Sequence, residues 1–521
     1  MGKSQTLDLS GPEVKCIDLK SGVDGADVLF VYSGCDSAVY RNLSTWLKKE
    51  ETRYLVFIEE QEEVFLKAKE LPFAKDPKVR IYYYKKEAEE IFQHIAWEFV
   101  FLRFAYSIPS STTKEAAEEF FVYLEHYHRG VDLLASDCED MGLKVLSNAM
   151  KNLSAFPRSL LGGSLEGKCT GMPAIICGAG PSLNDVIPLL ATLKDKAILI
   201  AGGSAVPALN AQGIIPHFAA GIDPQPPLNR FLNQDSFESP FFYQGRFCSD
   251  LLQRVHGPLL WMPDGGTYPL ETWAYSECGL FAEKFDAGWT VSNFCTSLAA
   301  HLGCSTVIFV GMDFSRGPDT IYASQMPGDE HKDPWIELEK GKLYSKKDWL
   351  MSAEWMGAFA KKNPGIQWLN ATMGGIDLPG IEKTSLEEIA ANFLQQRWDV
   401  EGWVHSCLSK ANATDVTLEK VADVRNRVKM SFEKSLEICD ALLKVWEKHF
   451  PNSPLEQGEY AVLEIDLQQE ICHSHFLMPL WNVWKRPILR SSFHALGQHI
   501  HQLLFFQKAI ESHLPYLRSF P

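Results

Sequence analysis

The stretch CGAGPSLN, residues 177–184, carries the residue types that most clearly suggest chemistry. It follows an apolar, β-branched run and precedes residues with helical spacing, which predicts a strand, a tight turn and a helix. Glycine permits a sharp turn and a close backbone approach to a ligand, and proline suits the first turn of a helix. The N–H groups at such a helix start favour an anion or a polar sugar. The candidate binding residues of this loop are Gly178, Ala179, Gly180, Pro181 and Ser182.

This loop does not match the usual dinucleotide fingerprint. That fingerprint has a third glycine, where this chain has Leu183, and an acidic residue that binds the ribose after the second strand. The second predicted strand ends instead in AGGSA, which adds Gly203 and Ser204 as candidate binding residues. A mononucleotide or a nucleotide sugar is therefore favoured over NAD, and a turn without any ligand stays the alternative.

Further turns of small and polar residues follow other predicted strands. Asp223 ends one in AGIDPQPP, Asp313 ends another in VGMDFS, and LNATMGG forms a third at residues 369–375. Ligands of a doubly wound sheet lie outside the carboxyl ends of its strands, so these turns predict one nucleotide-type site. The candidate binding residues at the start of a further helix are Ser292, Asn293 and Thr296.

The elements that position these residues alternate between strands and helices, which predicts an α/β fold. We expect a Rossmann-like, doubly wound central domain, a smaller N-terminal α/β domain and a C-terminal helical bundle. The predicted segments are an N-terminal Rossmann-like domain at 1–110, a helical connector at 111–170, the central domain at 171–385 and a helical domain at 386–521.

The N-terminal region has a second possible nucleoside site. A turn in YSGCDS follows one predicted strand, and Glu59 and Glu60 end the next, where an acidic side chain could bind a ribose. Because this turn holds a single glycine, we favour a Rossmann-like scaffold whose acidic residues are solvated.

Composition limits the partners. The chain has 521 residues and a net charge of −16, and no Lys/Arg block that would favour nucleic acid. No apolar run reaches the roughly 18–20 residues that span a bilayer, and no secretory signal is evident, so we expect a cytoplasmic protein without a membrane span. The twelve cysteines are scattered, which favours buried thiols over a metal site.

The central region resembles the motility accessory factor (Maf) family, whose central domain is shared with 6-hydroxymethylpterin pyrophosphokinase-like (MptE-like) proteins. The resemblance covers about residues 173–390. The matching segments, in order, are CGAGPSLN, AILIAGGSAVPALNAQGIIPHFAAGIDP, SNFCTSLAAHLGCSTVIFVGMDFS, IYAS, KDWLMSAEWM and WLNATMGGIDLPGIEKTSLEE.

The resemblance implies a glycosyltransferase related to bacterial sialyltransferases. Such enzymes move a nonulosonic acid from a CMP donor to Ser or Thr of a protein, classically flagellin. The resemblance implies that the glycine loop and Ser204 lie beside the donor nucleotide. It also implies that Asp223 lies beside the ribose-phosphate or the sugar. It also implies that Ser292, Asn293 and Thr296 face the cytidine or phosphate, and that Asp313 and Tyr322 line the donor sugar or the acceptor.

The chemistry needs donors for the departing phosphate and a base for the acceptor hydroxyl, and we expect neither a metal ion nor another cofactor. The related sialyltransferases use a histidine. The candidates here are His217, His331, Asp223 and Asp313, and the residues leave the choice open. The chain departs from its relatives at Ala179, where they carry asparagine.

Two other functions stay open. A pterin pyrophosphokinase would hold ATP and Mg²⁺ through clustered carboxylates, but Asp223 stands alone at its strand end. A non-catalytic protein could dock partners through its aromatic tail, although these side chains are better explained as the core of the tail. The aromatic residues concerned are Trp481, Trp484, Phe493, Phe505 and Phe506.

Overall fold

The computed structural model describes residues 25–50, 53–85, 90–107, 114–227, 236–264, 268–281, 285–317, 323, 335–449, 458–489 and 495–519. The chain divides into two compact units, and neither is continuous in sequence. The first unit comprises Met1–Asp140 and Ser435–Ile510, and the second comprises Met141–Lys434 and Glu511–Pro521. The division into the four segments 1–110, 111–170, 171–385 and 386–521 stays a prediction.

The first unit contains a parallel sheet with the strand order β3-β2-β1-β4. Its strands are β1 (Val28–Tyr32), β2 (Tyr54–Glu59), β3 (Val79–Tyr83) and β4 (Phe104–Ser107), and its first helices are α1 (Ser37–Lys49), α2 (Glu62–Lys69) and α3 (Glu90–Glu98). Every residue of β1 is buried because apolar side chains cover both faces of the strand. Asp36 caps the N-terminus of helix α1, since its carboxylate accepts from the N–H groups of Ala38 and Val39.

The second unit contains the larger sheet. Among the described residues, nine strands form one sheet with the order β15-β14-β11-β6-β7-β8-β9-β10-β5, and all neighbours pair in parallel. Strands β12 and β13 form a separate antiparallel pair. The strands are β5 (Ser159–Leu161), β6 (Pro173–Cys177), β7 (Ile198–Gly202), β8 (Phe218–Gly221), β9 (Phe241–Tyr243), β10 (Leu259–Trp261), β11 (Thr306–Val310), β12 (Ile336–Glu339), β13 (Leu343–Ser345), β14 (Gln367–Asn370) and β15 (Glu382–Lys383).

Helices follow most of these strands and make up the C-terminal part of the chain. The remaining helices are α4 (Lys114–Asn152), α5 (Leu183–Leu190), α6 (Ala205–Asn210), α7 (Ser249–Leu252), α8 (Pro269–Glu277), α9 (Val291–His301), α10 (Lys347–Lys362), α11 (Leu386–Phe393), α12 (Val400–Ser409), α13 (Leu418–His449), α14 (Gly458–Gln468), α15 (Met478–Leu489) and α16 (Ala495–Arg518). Helix α9 packs against the centre of the large sheet, where Phe294, Cys295 and Leu298 belong to its apolar core.

The predicted fold class is confirmed: the chain is α/β, with Rossmann-like parallel sheets and a helical C-terminal part. The helical prediction for the connector is wrong in its last part. Helix α4 ends at Asn152, and β5 adds an edge strand to the large sheet at Ser159–Leu161. Pro157 accounts for the interruption, since proline lacks the N–H that a continuing helix requires.

In the C-terminal part, three of the described tail aromatics, Trp481, Phe505 and Phe506, contact one another, whereas the Trp484 ring lies against Phe101. Trp481 is buried, and its ring lies 5.6 Å from that of Phe505 and 6.4 Å from that of Phe506, measured between centroids. Phe493 lies outside the described residues. These contacts place Trp481 and Phe506 in the interior of the first unit.

Candidate functional site

The strand order of the large sheet reverses between β6 and β11. From β6 the chain continues to β7, β8, β9 and β10 on one side, whereas β11, β14 and β15 extend the other side. The carboxyl ends of β6 and β11 therefore flank the topological switch point, where open α/β sheets bind their ligands. The glycine loop, residues 178–182, follows β6, and Asp313 lies in the loop that follows β11.

The two glycines of this loop are required by the neighbouring loop of the same chain. The Gly178 N–H donates to the Val310 carbonyl at 2.8 Å, and the Gly180 N–H donates to the Gly311 carbonyl at 2.9 Å. A Cβ at Gly178 would overlap the Gly311 carbonyl oxygen, and one at Gly180 would overlap the Asp313 carboxylate. We expected these glycines to allow a ligand to approach the backbone closely. In the structure, the loop after β11 makes that close approach.

The Asp313 carboxylate is held at the start of helix α5. Ser182 Oγ donates to Asp313 Oδ2 at 2.6 Å, and the Ser182 N–H donates to the same carboxylate. Burial raises the pKa of Asp313, while these hydrogen bonds and the charge of Lys383 act in the opposite direction. Asp313 is only 5% exposed. Because its carboxylate accepts from Ser182, it occupies the position at the N-terminus of α5 where an anion would otherwise bind.

The surface of the glycine loop is left for a ligand. The N–H groups of Leu183 and Asn184 donate to carbonyls of the loop itself, at 3.0 and 3.2 Å. Ala179, Gly180 and Pro181 are half-buried, so their outer sides form an accessible wall at the switch point. This wall suits contact with a flat or apolar part of a ligand better than capture of its phosphate.

A third loop, after β14, closes around Asp313. Thr372 Oγ1 accepts from the Met312 N–H at 3.0 Å, and the Ile376 N–H donates to the Asp313 carbonyl at 3.0 Å. Gly375 has a φ of +71° and lies against the Asp313 backbone, where a Cβ would overlap. The LNATMGG turn therefore joins the switch point, as the sequence predicts for the carboxyl edge.

The loop after β7 lies at the same edge. Gly203 has a φ of +51°, and its N–H donates to the Ala220 carbonyl at 3.1 Å. A Cβ at Gly203 would lie 3.1 Å from Val291, in the first turn of α9. Ser204, which precedes α6, and Ser292, in the first turn of α9, are both half-buried and follow Gly203 and Val291 in sequence.

Two residues of α9 have structural partners instead of access to a ligand. Asn293 is 0% exposed, and its Oδ1 accepts from the Trp289 and Thr290 N–H groups while Nδ2 donates to the Ser352 carbonyl. The Thr296 hydroxyl donates to the Ser292 carbonyl at 2.8 Å. Asn293 thus completes a capping box with Thr290.

Asp223 is exposed at the carboxyl end of β8. Its Oδ1 accepts from the Gln225 N–H at 2.9 Å, and its carbonyl accepts from the Cys248 N–H. The end of α4 fixes this loop, because Asn148 Nδ2 donates to the carbonyls of Pro224 and Arg246. The sequence did not single out Asn148, and nothing in its local pattern indicates this role.

The structure does not bring His217 to this edge. It precedes β8, so it lies at the amino edge of the sheet, roughly 13 Å along the strand from its carboxyl end. Its Nδ1 accepts from the Leu199 N–H at 2.9 Å, and burial lowers its pKa to about 4. Tyr322 and His331 lie outside the described residues, although the neighbouring Ala323 N–H donates to the Ala179 carbonyl at 2.9 Å.

A group of cations and aromatic rings that the sequence analysis missed follows the loop after β11. The Arg316 guanidinium lies 4.2 Å from the centroid of the Trp335 ring and 5.3 Å from that of Tyr344. Lys346 Nζ lies 5.2 Å from the Trp335 centroid and 5.9 Å from that of Trp349. These five residues form the cation–aromatic cluster. The basic and aromatic residues of KLYSKKDW were its signal in the sequence.

The corresponding turn of the first unit is filled by its own acid. Glu59 Oε1 accepts from the Cys35 N–H at 2.8 Å, and the Gly34 N–H also donates to this carboxylate. Burial raises the pKa of Glu59, against the effect of these two hydrogen bonds. The prediction of solvated acidic residues is therefore wrong for Glu59, which is 3% exposed and bonds to the turn after β1, whereas Glu60 is exposed.

The comparisons with known proteins agree on the central segment and on the fold. Residues 147–318 match the family model described as 6-hydroxymethylpterin diphosphokinase MptE-like. No curated protein sequence matches the chain. A solved Maf glycosyltransferase from Magnetospirillum magneticum AMB-1 has a similar fold, with a TM-score of 0.59 and 14% sequence identity over 95% of this chain and 80% of that one. The resemblance to MptE-like and Maf proteins is therefore confirmed, by a family match over residues 147–318 and by the fold of nearly the whole chain.

Proposed function

We propose that this protein is a glycosyltransferase that moves a sialic-acid-like nonulosonate from a CMP donor to a Ser or Thr hydroxyl of a protein acceptor. The observation that carries this proposal is the fold shared with a Maf glycosyltransferase over 95% of the chain. The family match, by contrast, covers only residues 147–318. The fold of the residues before 147 and after 318 is therefore better explained by a transferase of the Maf type.

Two cations that follow the loop after β11 support the binding of a nucleoside monophosphate. Arg316 and Lys346 supply two cations near the loop that holds Asp313, and a departing phosphate is stabilised by such charges without a metal ion. The rings of Trp335, Tyr344 and Trp349 fix these cations and offer flat surfaces to a base. In this arrangement the outer side of the glycine loop contacts the nucleoside.

The reaction then needs one proton acceptor. The acceptor hydroxyl oxygen bonds to the anomeric carbon of the sugar, while the bond from that carbon to the phosphate oxygen breaks and its electron pair leaves with CMP. The hydroxyl proton passes to a base, for which we propose Asp223. Asp223 is exposed at the same edge, two strands and roughly 10 Å from β6, within the length of a nucleotide sugar.

The other candidates take supporting roles in this proposal. Asp313 and Ser182 join the loops after β6 and β11 and hold the wall against which the nucleoside lies. Asn293 and Thr296 stabilise the first turn of α9, so they position Ser292 and Gly203. His217 has no part in transfer, because it lies at the other edge of the sheet.

Titration calorimetry with CMP and with cytidine tests this assignment. Arg316→Ala should weaken CMP binding about tenfold or more, since a charge-assisted hydrogen bond to phosphate is lost, and should leave cytidine binding nearly unchanged. Lys342→Ala is the matched control, because Lys342 is an exposed cation of the β12–β13 pair that bonds to Glu339. Equal CMP affinity in wild type and Arg316→Ala would contradict the role of the cluster.

A second candidate function is diphosphate transfer from ATP to a 6-hydroxymethylpterin. The description of the family that matches residues 147–318 favours it. Thermal stabilisation by ATP, Mg²⁺ and a pterin, without any response to CMP or CTP, would select this function. The absence of a response to either nucleotide would favour a non-catalytic partner-binding protein.

A further inference from the structure

Two asparagines near the end of helix α4 contact the carboxyl edge of the large sheet. Asn148 is 1% exposed and Asn152 is 3% exposed, although asparagine is mostly found on protein surfaces. Because they are four positions apart in the helix, the two side chains lie on the same helix face. Buried amides require hydrogen-bond partners, and the loops after β8 and β9 supply them.

The Asn148 amide uses both of its N–H donors and its oxygen on these loops. Its Nδ2 donates to the Pro224 carbonyl at 2.9 Å and to the Arg246 carbonyl at 3.1 Å. Its Oδ1 accepts from the Ser249 N–H at 3.3 Å. Because one donor reaches the loop after β8 and the other reaches the loop after β9, this single side chain joins the two loops.

Asn152 bonds to the loop after β9 only, among the described residues. Its Nδ2 donates to the Gly245 carbonyl at 2.8 Å and to the Phe247 carbonyl at 2.6 Å. The two asparagines are therefore alike in burial, in their helix and in the type of bond that they make. They differ in that Asn148 also holds the turn after β8.

The turn that Asn148 holds carries Asp223, the base of the proposed transfer. Pro224 directly follows Asp223, and the Cys248 N–H donates to the Asp223 carbonyl at 3.0 Å. Asp223 Oδ1 accepts from the Gln225 N–H at 2.9 Å, so the carboxylate is tied to the backbone of its own turn. A shift of the Pro224 carbonyl therefore moves the carboxylate as well, and a misplacement of about 1 Å can slow a reaction about a hundredfold.

We propose that Asn148 is a positioning residue that holds the Asp223 carboxylate where it meets the acceptor hydroxyl. This inference rests on the proposed function, in which Asp223 takes the hydroxyl proton. Asn148 touches neither substrate in this arrangement and acts through the backbone of Pro224. The proposed CMP contacts lie on and after the loops that follow β6 and β11, which the hydrogen bonds of Asn148 do not reach. Its loss therefore slows transfer and leaves CMP binding intact.

Transfer kinetics, CMP titration and urea unfolding of the full chain test this role. Asn148→Ala should lower kcat about tenfold or more, with a CMP dissociation constant within about twofold of the wild type. Asn148→Asp is a second variant of nearly the same shape that can still accept from the Ser249 N–H but cannot donate, so its kcat should fall as well. Asn152→Ala is the matched control, because it also leaves two carbonyls without a donor. It should lose a similar amount of stability in urea and keep kcat within about twofold.

Wild-type kcat in both Asn148 variants would overturn the positioning role. A general structural role would replace it if kcat fell equally in Asn152→Ala, if CMP binding weakened together with kcat, or if neither Asn148 variant folded. A wild-type protein that transfers no sugar would instead refute the proposed function itself. Failure of the positioning role, with transfer by the wild type intact, is therefore distinguishable from failure of the transferase proposal.

Discussion

At the scale of single residues, Asp313 shows how position changes a chemical assignment. An aspartate after a strand of a doubly wound sheet is a natural candidate for catalysis. In the structure its carboxylate accepts from Ser182 and is enclosed by the loop after β14, so its clearest role is to join three loops. A positioning residue of this kind affects stability first and activity through geometry.

Ser182→Ala should lower the free energy of unfolding by about 1–2 kcal/mol, because the buried Asp313 carboxylate loses a short hydrogen bond. Urea unfolding followed by circular dichroism measures this change. Ser154→Ala is the control, since the Ser154 hydroxyl is exposed and bonds only to the Lys151 carbonyl of its own turn. Equal stabilities of the two variants would show that the Ser182–Asp313 bond does not hold the loop.

The buried His217 predicts a pH dependence of stability. Its pKa is lowered from 6.5 to about 4, so the folded protein binds this proton less readily than the unfolded chain does. The contribution of His217 to the free energy of unfolding is fully present above pH 6.5. It is lost as the pH falls toward 4, by up to about 3 kcal/mol.

His217→Asn should reduce this acid-side loss, because the amide oxygen can accept from the Leu199 N–H without a proton to gain. Urea unfolding at several values between pH 4 and pH 7 provides the comparison, with the exposed His256→Asn as control. An acid-side loss in His217→Asn as steep as in the wild type would contradict the assignment.

At the scale of elements, the glycine loop is shaped by the loop beside it. Gly178→Ala should destabilise the fold by about 3 kcal/mol, because the new Cβ would meet the Gly311 backbone, which cannot move aside alone. Gly163→Ala is the control, since a Cβ there meets no atom within 4 Å. Thermal unfolding of both variants measures the difference, and a Gly178→Ala protein as stable as the control would refute the packing argument.

The five-residue strands β6, β7 and β11 could be predicted because each is an apolar run that ends in glycine or is followed by one. The three-residue strands β5 and β9 could not, because so short a run lacks a period and forms by pairing with neighbouring strands, β5 with β10 and β9 with β8 and β10. The edge of the sheet that holds the candidate site could also be predicted, because the carboxyl ends of parallel strands meet at one edge. The contact of Asn293 with Ser352 joins distant residues, which no local pattern contains. The segment KLYSKKDW indicated part of the cation–aromatic cluster, but Arg316 and Trp335 are distant from it in sequence.

At the scale of the whole molecule, an acidic chain places two cations at its switch point. The net charge is −16, yet Arg316 and Lys346 lie among aromatic rings after the loop that holds Asp313. None of the described helices is long and apolar enough to cross a membrane. In the proposed transfer, the Arg316 guanidinium is the cation that meets the phosphate of the anionic donor.

The most direct test of the proposed transfer is the intact mass of an acceptor protein after incubation with a CMP-nonulosonate and this protein. We expect the acceptor to gain the mass of one nonulosonate residue, with release of CMP. Asp223→Ala should abolish that gain while the variant still binds CMP and unfolds like the wild type. Transfer by Asp223→Ala at the wild-type rate would exclude Asp223 as the base. An unmodified acceptor, together with diphosphate transfer from ATP to a pterin, would contradict the proposal that this protein transfers a nonulosonate.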